Sequence, residues 1–281
     1  MSLENRFNAP IGIFDSGVGG LSVLGAVRQA LPQEALIYFA DQAHVPYGPR
    51  PVEQVRIFAE GITRYLLFQG AKLIVVACNT ASAAALHSLR QAFPELPFVG
   101  MEPAVKPAAE NTQTGVVGVL ATPATFQGAL YASVVERFAS GVTVLQDTCP
   151  GLVMEIEAGH LDTPEVRAIL EKALNPMLAQ GIDTVVLGCT HFPFVIPLIE
   201  DIVGPGVRVI DPAPAIARQV RRLLDTKGLL SSTSRPDEAR YLTSGDPARL
   251  AALLPKLLGE RGEVRLVRWI EGKLEGSEFT G

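Results

Sequence analysis

Apolar and polar positions along this chain follow two rhythms in turn. PIGIFDSG, ALIYFADQ, AKLIVVACNT and LPFVGMEP are short apolar runs, rich in β-branched or aromatic residues and closed by small or polar ones. They predict buried strands. Between them GLSVLGAVRQAL, VEQVRIFAEGITRYLLFQG and ASAAALHSLRQAF repeat their apolar positions every three to four residues and predict amphipathic helices, with Pro32 and Gly70 as stops. Strands that alternate with helices of this length predict parallel pairing through helical crossovers. The fold class is therefore α/β, with ligands expected at the carboxyl ends of the strands.

The pattern then restarts. TGVVGVLATP reads as a new first strand and ATFQGALYASVVERFA as its helix. GVTVLQDTCP, the helical GLVMEIEAGH and the long helix PEVRAILEKALNPMLAQG follow, then the strand IDTVVLGCTHFP. GVRVIDPAPAIARQV echoes PFVGMEPAVKPAAEN: Glu102-Pro103-Ala104 aligns with Asp211-Pro212-Ala213 at an offset of 109. Cys78 and Cys189 stand 111 apart, and Ser16 and Thr122 stand 106 apart. Three landmarks in one order at nearly one offset predict an internal duplication into two pseudo-symmetric α/β domains with a shared cleft. That period is far too long for a solenoid. The tail, RYLTSGD and EVRLVRWIEG, has no counterpart in the second copy and is expected to complete the first domain. The expected division is residues 1–97 with 208–281, and 98–207. RPDEARYLTSGDPARL is not low-complexity, so no linker is expected there.

Composition narrows the function classes. Of 281 residues 48% are hydrophobic and 19% charged, enough for a sizeable core. The net charge of −5 without a basic block argues against a nucleic-acid surface. No apolar run approaches the ~20 residues of a membrane span. MSLENRFNAP is polar, so no secretion signal is expected. Three cysteines do not suggest a disulfide framework, and a reducing cytoplasm is the expected compartment.

Two of those cysteines end two similar strands, in ACNTAS and GCTHFP, and four readings of them compete. Both could be core residues, since free cysteine is often buried. Polar neighbours, Asn79-Thr80 and Thr190-His191, at strand ends weigh against that. A disulfide is disfavoured in the cytoplasm. A structural zinc wants four ligands, whereas only Cys78, Cys189 and His191 converge, so no metal is expected. The fourth reading is two-base proton transfer. A racemase removes a proton from one face of a carbon and returns one to the other, which needs two acid/base groups facing each other. Thiols suit this because a helix N-terminus or a histidine can stabilise the thiolate. None of the six lysines lies in a stretch resembling a Schiff-base site, so no pyridoxal cofactor is expected. The DSGVGG loop fits neither GxGxxG nor a P-loop.

FDSGVGGLSV, YGPRP, ACNTAS and GCTHFP, in this order and spacing, resemble the cofactor-independent glutamate racemases of the aspartate/glutamate racemase superfamily. The resemblance runs from about Ile11 to Ala217. It implies two α/β domains with the active site in the cleft between them, interconversion of L- and D-glutamate, a supply of D-glutamate for peptidoglycan, and a cytoplasmic homodimer without cofactor. Residue by residue, it implies that Cys78 and Cys189 are the bases, Cys78 acting on the D-enantiomer and Cys189 on the L-enantiomer. Asp15 and Ser16 match an Asp-Ser pair that assists the first thiol or binds the ammonium; a helix cap is the alternative for Asp15. Tyr47 and Gly48 match a substrate loop. Asn79, Thr80 and Thr190 match carboxylate-binding positions, and His191 the histidine beside the second thiol. Thr122 and Thr125 match a further pair lining the cleft. Glu157 matches an acidic residue, with Glu155 near enough to compete for the role, and Cys149 falls in a Cys-Pro turn read as structural. Aspartate racemases tend to carry Glu where this chain has His191, so the resemblance favours glutamate. A two-domain amino-acid-binding module and a redox thiol switch remain the rival classes.

Overall fold

The computed structural model describes residues 7–102, 104–231 and 239–276. Residues 1–6, Pro103 of the Glu102-Pro103-Ala104 landmark, and residues 235–238, which open the stretch read as free of a linker, lie outside the described residues.

The chain divides into two units, Met1–Met101 with Ala213–Gly281, and Glu102–Pro212. Both boundaries fall a few residues later than the expected 97/98 and 207/208. Phe98–Gly100 pairs with the strand Leu73–Val76 of the first unit, and Arg208–Ile210 pairs with Thr184–Gly188 of the second. Each of these short strands completes the sheet it follows instead of opening the next.

In the first unit β1 (Ile11–Asp15) is followed by α1 (Leu21–Ala30), β2 (Leu36–Ala40), α2 (Val52–Phe68), β3 (Leu73–Val76), α3 (Asn79–Ala92) and β4 (Phe98–Gly100). Every residue of β1, β2 and β3 is buried, as the continuous apolar runs of a sheet covered on both faces require. Helix α2 buries Val55, Ala59, Ile62 and Leu66, one side of a helix at three- to four-residue spacing.

The second unit runs α4 (Val105–Asn111), β5 (Val116–Ala121), α5 (Pro123–Gln127), α6 (Ala129–Phe138), β6 (Thr143–Asp147), α7 (Leu152–Glu157), α8 (Pro164–Leu178) and β7 (Thr184–Gly188). A 3-10 turn over Phe192–Val195, α9 (Ile196–Val203) and β8 (Arg208–Ile210) close it. The sequence reads ATFQGALYASVVERFA as one helix; the structure has two. Gly128 lies in extended backbone (φ −72°, ψ 136°) and interrupts the hydrogen-bond ladder between α5 and α6.

The chain then returns to the first unit with α10 (Ala213–Thr226), β9 (Arg240–Thr243), α11 (Pro247–Leu258), β10 (Val264–Leu266), β11 (Arg268–Ile270) and β12 (Lys273–Glu275). Among the described residues the first sheet has the order β10-β9-β2-β1-β3-β4, all parallel, and the second β6-β5-β7-β8, all parallel. The order 2-1-3-4 inside the first sheet repeats as 6-5-7-8 in the second, which is the topology an internal duplication produces. The tail adds β9 and β10 to the first sheet and a separate antiparallel hairpin, β11–β12. Among the described residues no helix is long and apolar enough to cross a membrane.

Candidate functional site

The carboxyl ends of β1, β2 and β3 gather one set of the sequence-derived residues. Asp15 is the last residue of β1 and fully buried. Its Oδ2 accepts the Gly20 N–H at 2.8 Å, and its Oδ1 lies 3.4 Å from the Ser16 hydroxyl that donates to it. Helix α1 starts only at Leu21, and its cap position is Gly20 with no side-chain cap, so Asp15 closes the 15–20 turn and is not the helix cap itself. That turn is tight. A Cβ on Gly20 would come within 2.8 Å of the Asp15 Cβ. The Tyr38 hydroxyl donates to the Gly17 carbonyl at 2.6 Å and pins the turn from β2.

Cys78 is the N-cap of α3, buried, with extended backbone, and its Sγ accepts the Ala81 N–H at 3.4 Å. A sulfur in that position sits against the positive end of a helix, which favours the thiolate. Asn79 opens the helix and is buried. Both ends of its side-chain amide lack a hydrogen-bond partner among the described residues. A buried amide without partners is costly, and a polar ligand would relieve the cost. Thr80 is buried beside it. The Ser82 hydroxyl donates to the Val76 carbonyl at 3.0 Å and accepts the Met101 N–H at 2.8 Å, which fastens the first turn of α3 to β3 and to the residue after β4. Tyr47 is buried, and its hydroxyl donates to Asp41 Oδ2 at 2.6 Å. Burial pushes the Tyr47 phenol well above its ordinary value, and the charges of Asp41, Cys78 and Asp15 add to the rise. Gly48 follows Tyr47 and is half-buried.

The carboxyl ends of β5 and β7 gather the other set. Thr122 caps α5: its Oγ1 lies 3.0 Å from the Thr125 hydroxyl and accepts the Thr125 N–H at 3.4 Å. Thr125 is buried. Cys189 and Thr190, both buried, follow directly on β7. His191 leads into the 3-10 turn with its Nδ1 3.8 Å from the Cys189 Sγ, and its Nε2 is 2.6 Å from Glu157 Oε1 at the end of α7. All three side chains are buried, so the chain Glu157–His191–Cys189 is held out of water. Burial alone would lower the histidine's pKa. Hydrogen bonds to Cys189 and Glu157 and the negative charge each can carry outweigh it, and His191 is raised well above its ordinary range.

Glu155, the competitor for the acidic role, instead meets the exposed His160 at 2.7 Å. Cys149 is buried at φ +44°, its N–H donating to Asp147 Oδ1 at 2.7 Å, and burial pushes its thiol far above the ordinary thiol range. That suits a structural turn and not a nucleophile. All three cysteines are free thiols.

The model of the Asp/Glu/hydantoin racemase family matches residues 20–220. The chain belongs to this family. Among family relatives, the glutamate racemase of Ectopseudomonas mendocina is 53% identical over 262 residues, covering 93% of this chain and 99% of its own. A solved structure of a Bacillus anthracis glutamate racemase superposes with a TM-score of 0.82 at 33% identity, covering 92% of this chain and 97% of that one. The Escherichia coli glutamate racemase, solved in complex with L-glutamate and the activator UDP-MurNAc-Ala, superposes at 0.81 and 31% identity, covering 95% and 100%. The matched span contains Tyr47, Gly48 and Cys78 of the first set and all of the second; Asp15 and Ser16 lie ahead of it.

One residue of the site escaped the sequence reading. Asp41 stands directly after β2, fully buried, in the stretch ADQ that read only as the end of a strand. A carboxylate at a strand end in a sheet buried on both faces was the available signal, since such a group persists only where donors surround it.

Proposed function

We propose that the protein interconverts L- and D-glutamate without a cofactor, by proton transfer between two thiols. The observation that carries this reading is the pair of free, buried cysteines at equivalent strand ends of a repeated topology, one after β3 and one two residues ahead of its histidine after β7. The glutamate specificity rests on the relatives named above.

In the L-to-D direction the Cys189 thiolate takes the α-proton and becomes a thiol, while the Cys78 thiol gives its proton to the opposite face and becomes a thiolate. The chemistry requires the two sulfurs to address opposite faces of one α-carbon. Mirror-image turnover then runs the same exchange backwards. The thiolates are stabilised by different means. Cys78 uses the N-terminus of α3, and Cys189 uses the His191 imidazolium, itself held by the Glu157 carboxylate. The substrate carboxylate is assigned to Asn79, Thr80 and Thr190, the unpartnered Asn79 amide and the α3 N-terminus being suited to an anion. Asp15 takes the ammonium, and Tyr47-Gly48, Ser16, Thr122 and Thr125 line the substrate. Holding carbon and bases in register contributes ~7–11 kcal/mol of the barrier reduction, and donors aimed at the developing enediolate lower the barrier further. Of the lysines that a pyridoxal mechanism would need, the buried Lys72 is paired with Glu34 at 2.6 Å, ahead of β3 and at the opposite end of that strand from Cys78. The product is D-glutamate for the cell wall, made in the cytoplasm.

Polarimetry tests the reading. L-glutamate with purified protein and no added cofactor loses its rotation to zero, while L-aspartate keeps it. Persistent rotation of L-glutamate, from folded protein with titratable thiols, would leave the amino-acid-binding module as the better account.

A further inference from the structure

Asp41 accepts four hydrogen bonds, two on each oxygen. Oδ2 takes the Tyr47 hydroxyl at 2.6 Å and His44 Nδ1 at 2.8 Å. Oδ1 takes the Ser244 hydroxyl at 2.6 Å and the Trp269 indole N–H at 2.8 Å. An ionised carboxylate offers about four acceptor sites, so this one is saturated. The donors come from three separate stretches: the loop after β2, the residue after β9, and the hairpin strand β11.

Trp269 is seated against α2. Its ring stands 5.7 Å from Phe58 and edge-on to His44 at 5.4 Å, while His44 stacks flat on Phe58 at 3.8 Å. Gly61 leaves room for it, since a Cβ there would come within 2.7 Å of the indole. Arg50 Nε donates to the His44 carbonyl at 2.5 Å, and its guanidinium lies 5.6 Å from the Phe58 ring, which fastens the far end of the same loop. The loop carrying Tyr47 and Gly48 is therefore stapled at Asp41, and the hairpin outside the main sheet supplies one of the staples.

We propose that Trp269 is a positioning residue for the substrate loop: its indole N–H orients Asp41, and Asp41 holds Tyr47 beside Cys78 and Asp15. Trp269 does not touch the reacting atoms. It fixes which way the Asp41 carboxylate faces, and so where the Tyr47 hydroxyl and the Tyr47-Gly48 backbone stand when substrate arrives. A tyrosine held in this way is pre-organised before binding, and a loosened one must be ordered by the substrate, which weakens binding more than it slows chemistry. The inference rests on the reading of Tyr47 as a substrate-loop residue.

The test uses two readouts. Trp269 is the only tryptophan of the chain, so its indole N–H gives a single resonance in a proton–nitrogen NMR spectrum. Tyr47→Phe keeps the ring and removes the hydroxyl from the shared carboxylate. In the substrate-free protein this is expected to shift the indole resonance, and an unmoved resonance would overturn the coupling. The second readout is kinetic. Trp269→Phe keeps an aromatic ring beside Phe58, removes the donor and shortens the ring that lies on Gly61. It is expected to raise KM for both enantiomers about tenfold with kcat within about twofold, the fold-change one hydrogen bond to a charged group supports. A lowered melting temperature with unmoved KM would mean a merely structural residue and contradict the proposal. Should the wild-type protein fail to racemise glutamate, the functional reading falls by itself, and the NMR shift still decides whether Trp269 and Tyr47 are coupled.

Discussion

At the scale of single residues, the two cysteines differ in what surrounds them. Cys78 leans on the backbone dipoles of a fourteen-residue helix. Those dipoles do not titrate. Cys189 leans on His191, which does. In the proposed mechanism His191 therefore adds a pH dependence on the Cys189 side that the α3 dipoles do not add on the Cys78 side. The His191 pKa is raised, so its favourable charge is fully present below the ordinary histidine range and is lost as pH rises through the raised value. Glu157→Gln keeps an acceptor for Nε2 but removes the negative charge. It is expected to move the alkaline limb of the kcat/KM profile to lower pH, measured by initial rates across the pH range; an unshifted limb would mean that Glu157 does not hold the imidazolium. His191→Asn is expected to lower kcat/KM about a hundredfold, the usual scale for losing an acid/base partner. The loss must be equal in both directions, because enantiomers have an equilibrium constant of one.

At the scale of elements, the hairpin and the loops that close the strands can be tested without substrate. Asp183, just ahead of β7, accepts the Thr112 hydroxyl at 2.8 Å, the Thr114 N–H at 2.9 Å and the Thr184 hydroxyl at 3.0 Å, as well as the Gln113 N–H. Partial burial pushes its carboxyl up, but these donors more than offset that and bring it to about 2. Its stabilising effect is present above the ordinary carboxylate range and is lost as pH falls towards 2. Asp183→Asn is expected to cost about 1–3 kcal/mol at neutral pH and to flatten the acid side of the stability curve, read by urea unfolding at pH 7 and pH 3. Equal wild-type and variant slopes with pH would contradict it. Gly61→Ala pushes a methyl into the Trp269 ring and is expected to destabilise by about 1–3 kcal/mol and to change the emission of that tryptophan; an unchanged spectrum would mean that the hairpin is not seated on α2 as described.

Much of this was legible in the sequence for physical reasons. Short, continuous β-branched runs bounded by Gly, Pro or polar residues fit strands of a sheet covered on both faces, and the α2 stripe Val55, Ala59, Ile62 fits a helix. The motifs also named residues that cluster at strand ends. Gly128 was illegible as a break because a glycine in a helical pattern is tolerated more often than not. The strands Phe98–Gly100 and Arg208–Ile210 were identified, but their sheet membership depends on long-range pairing that no local pattern encodes. Asp41 was hidden for the same reason: two of its four donors, Ser244 and Trp269, reach it only once the end of β9 and the strand β11 are brought beside the loop after β2.

At the scale of the whole molecule, the proposed mechanism draws one base from each of two α/β units of like strand order. The sheet orders 2-1-3-4 and 6-5-7-8 repeat, and a cysteine follows each third strand, Cys78 two residues after β3 and Cys189 directly after β7. Duplication accounts for two thiols at matching places in the two sheets. The claim that both thiols act is tested most directly by deuterium. L-glutamate is incubated in deuterium oxide and stopped at low conversion, and the two enantiomers are separated and examined by NMR at the α-carbon. Two bases predict that the D-glutamate formed carries deuterium while the remaining L-glutamate keeps its proton, and that Cys78→Ala and Cys189→Ala, each folded as the parent protein, abolish racemisation. Product that retains the substrate's own proton, or full racemisation by either variant, would contradict the two-base account.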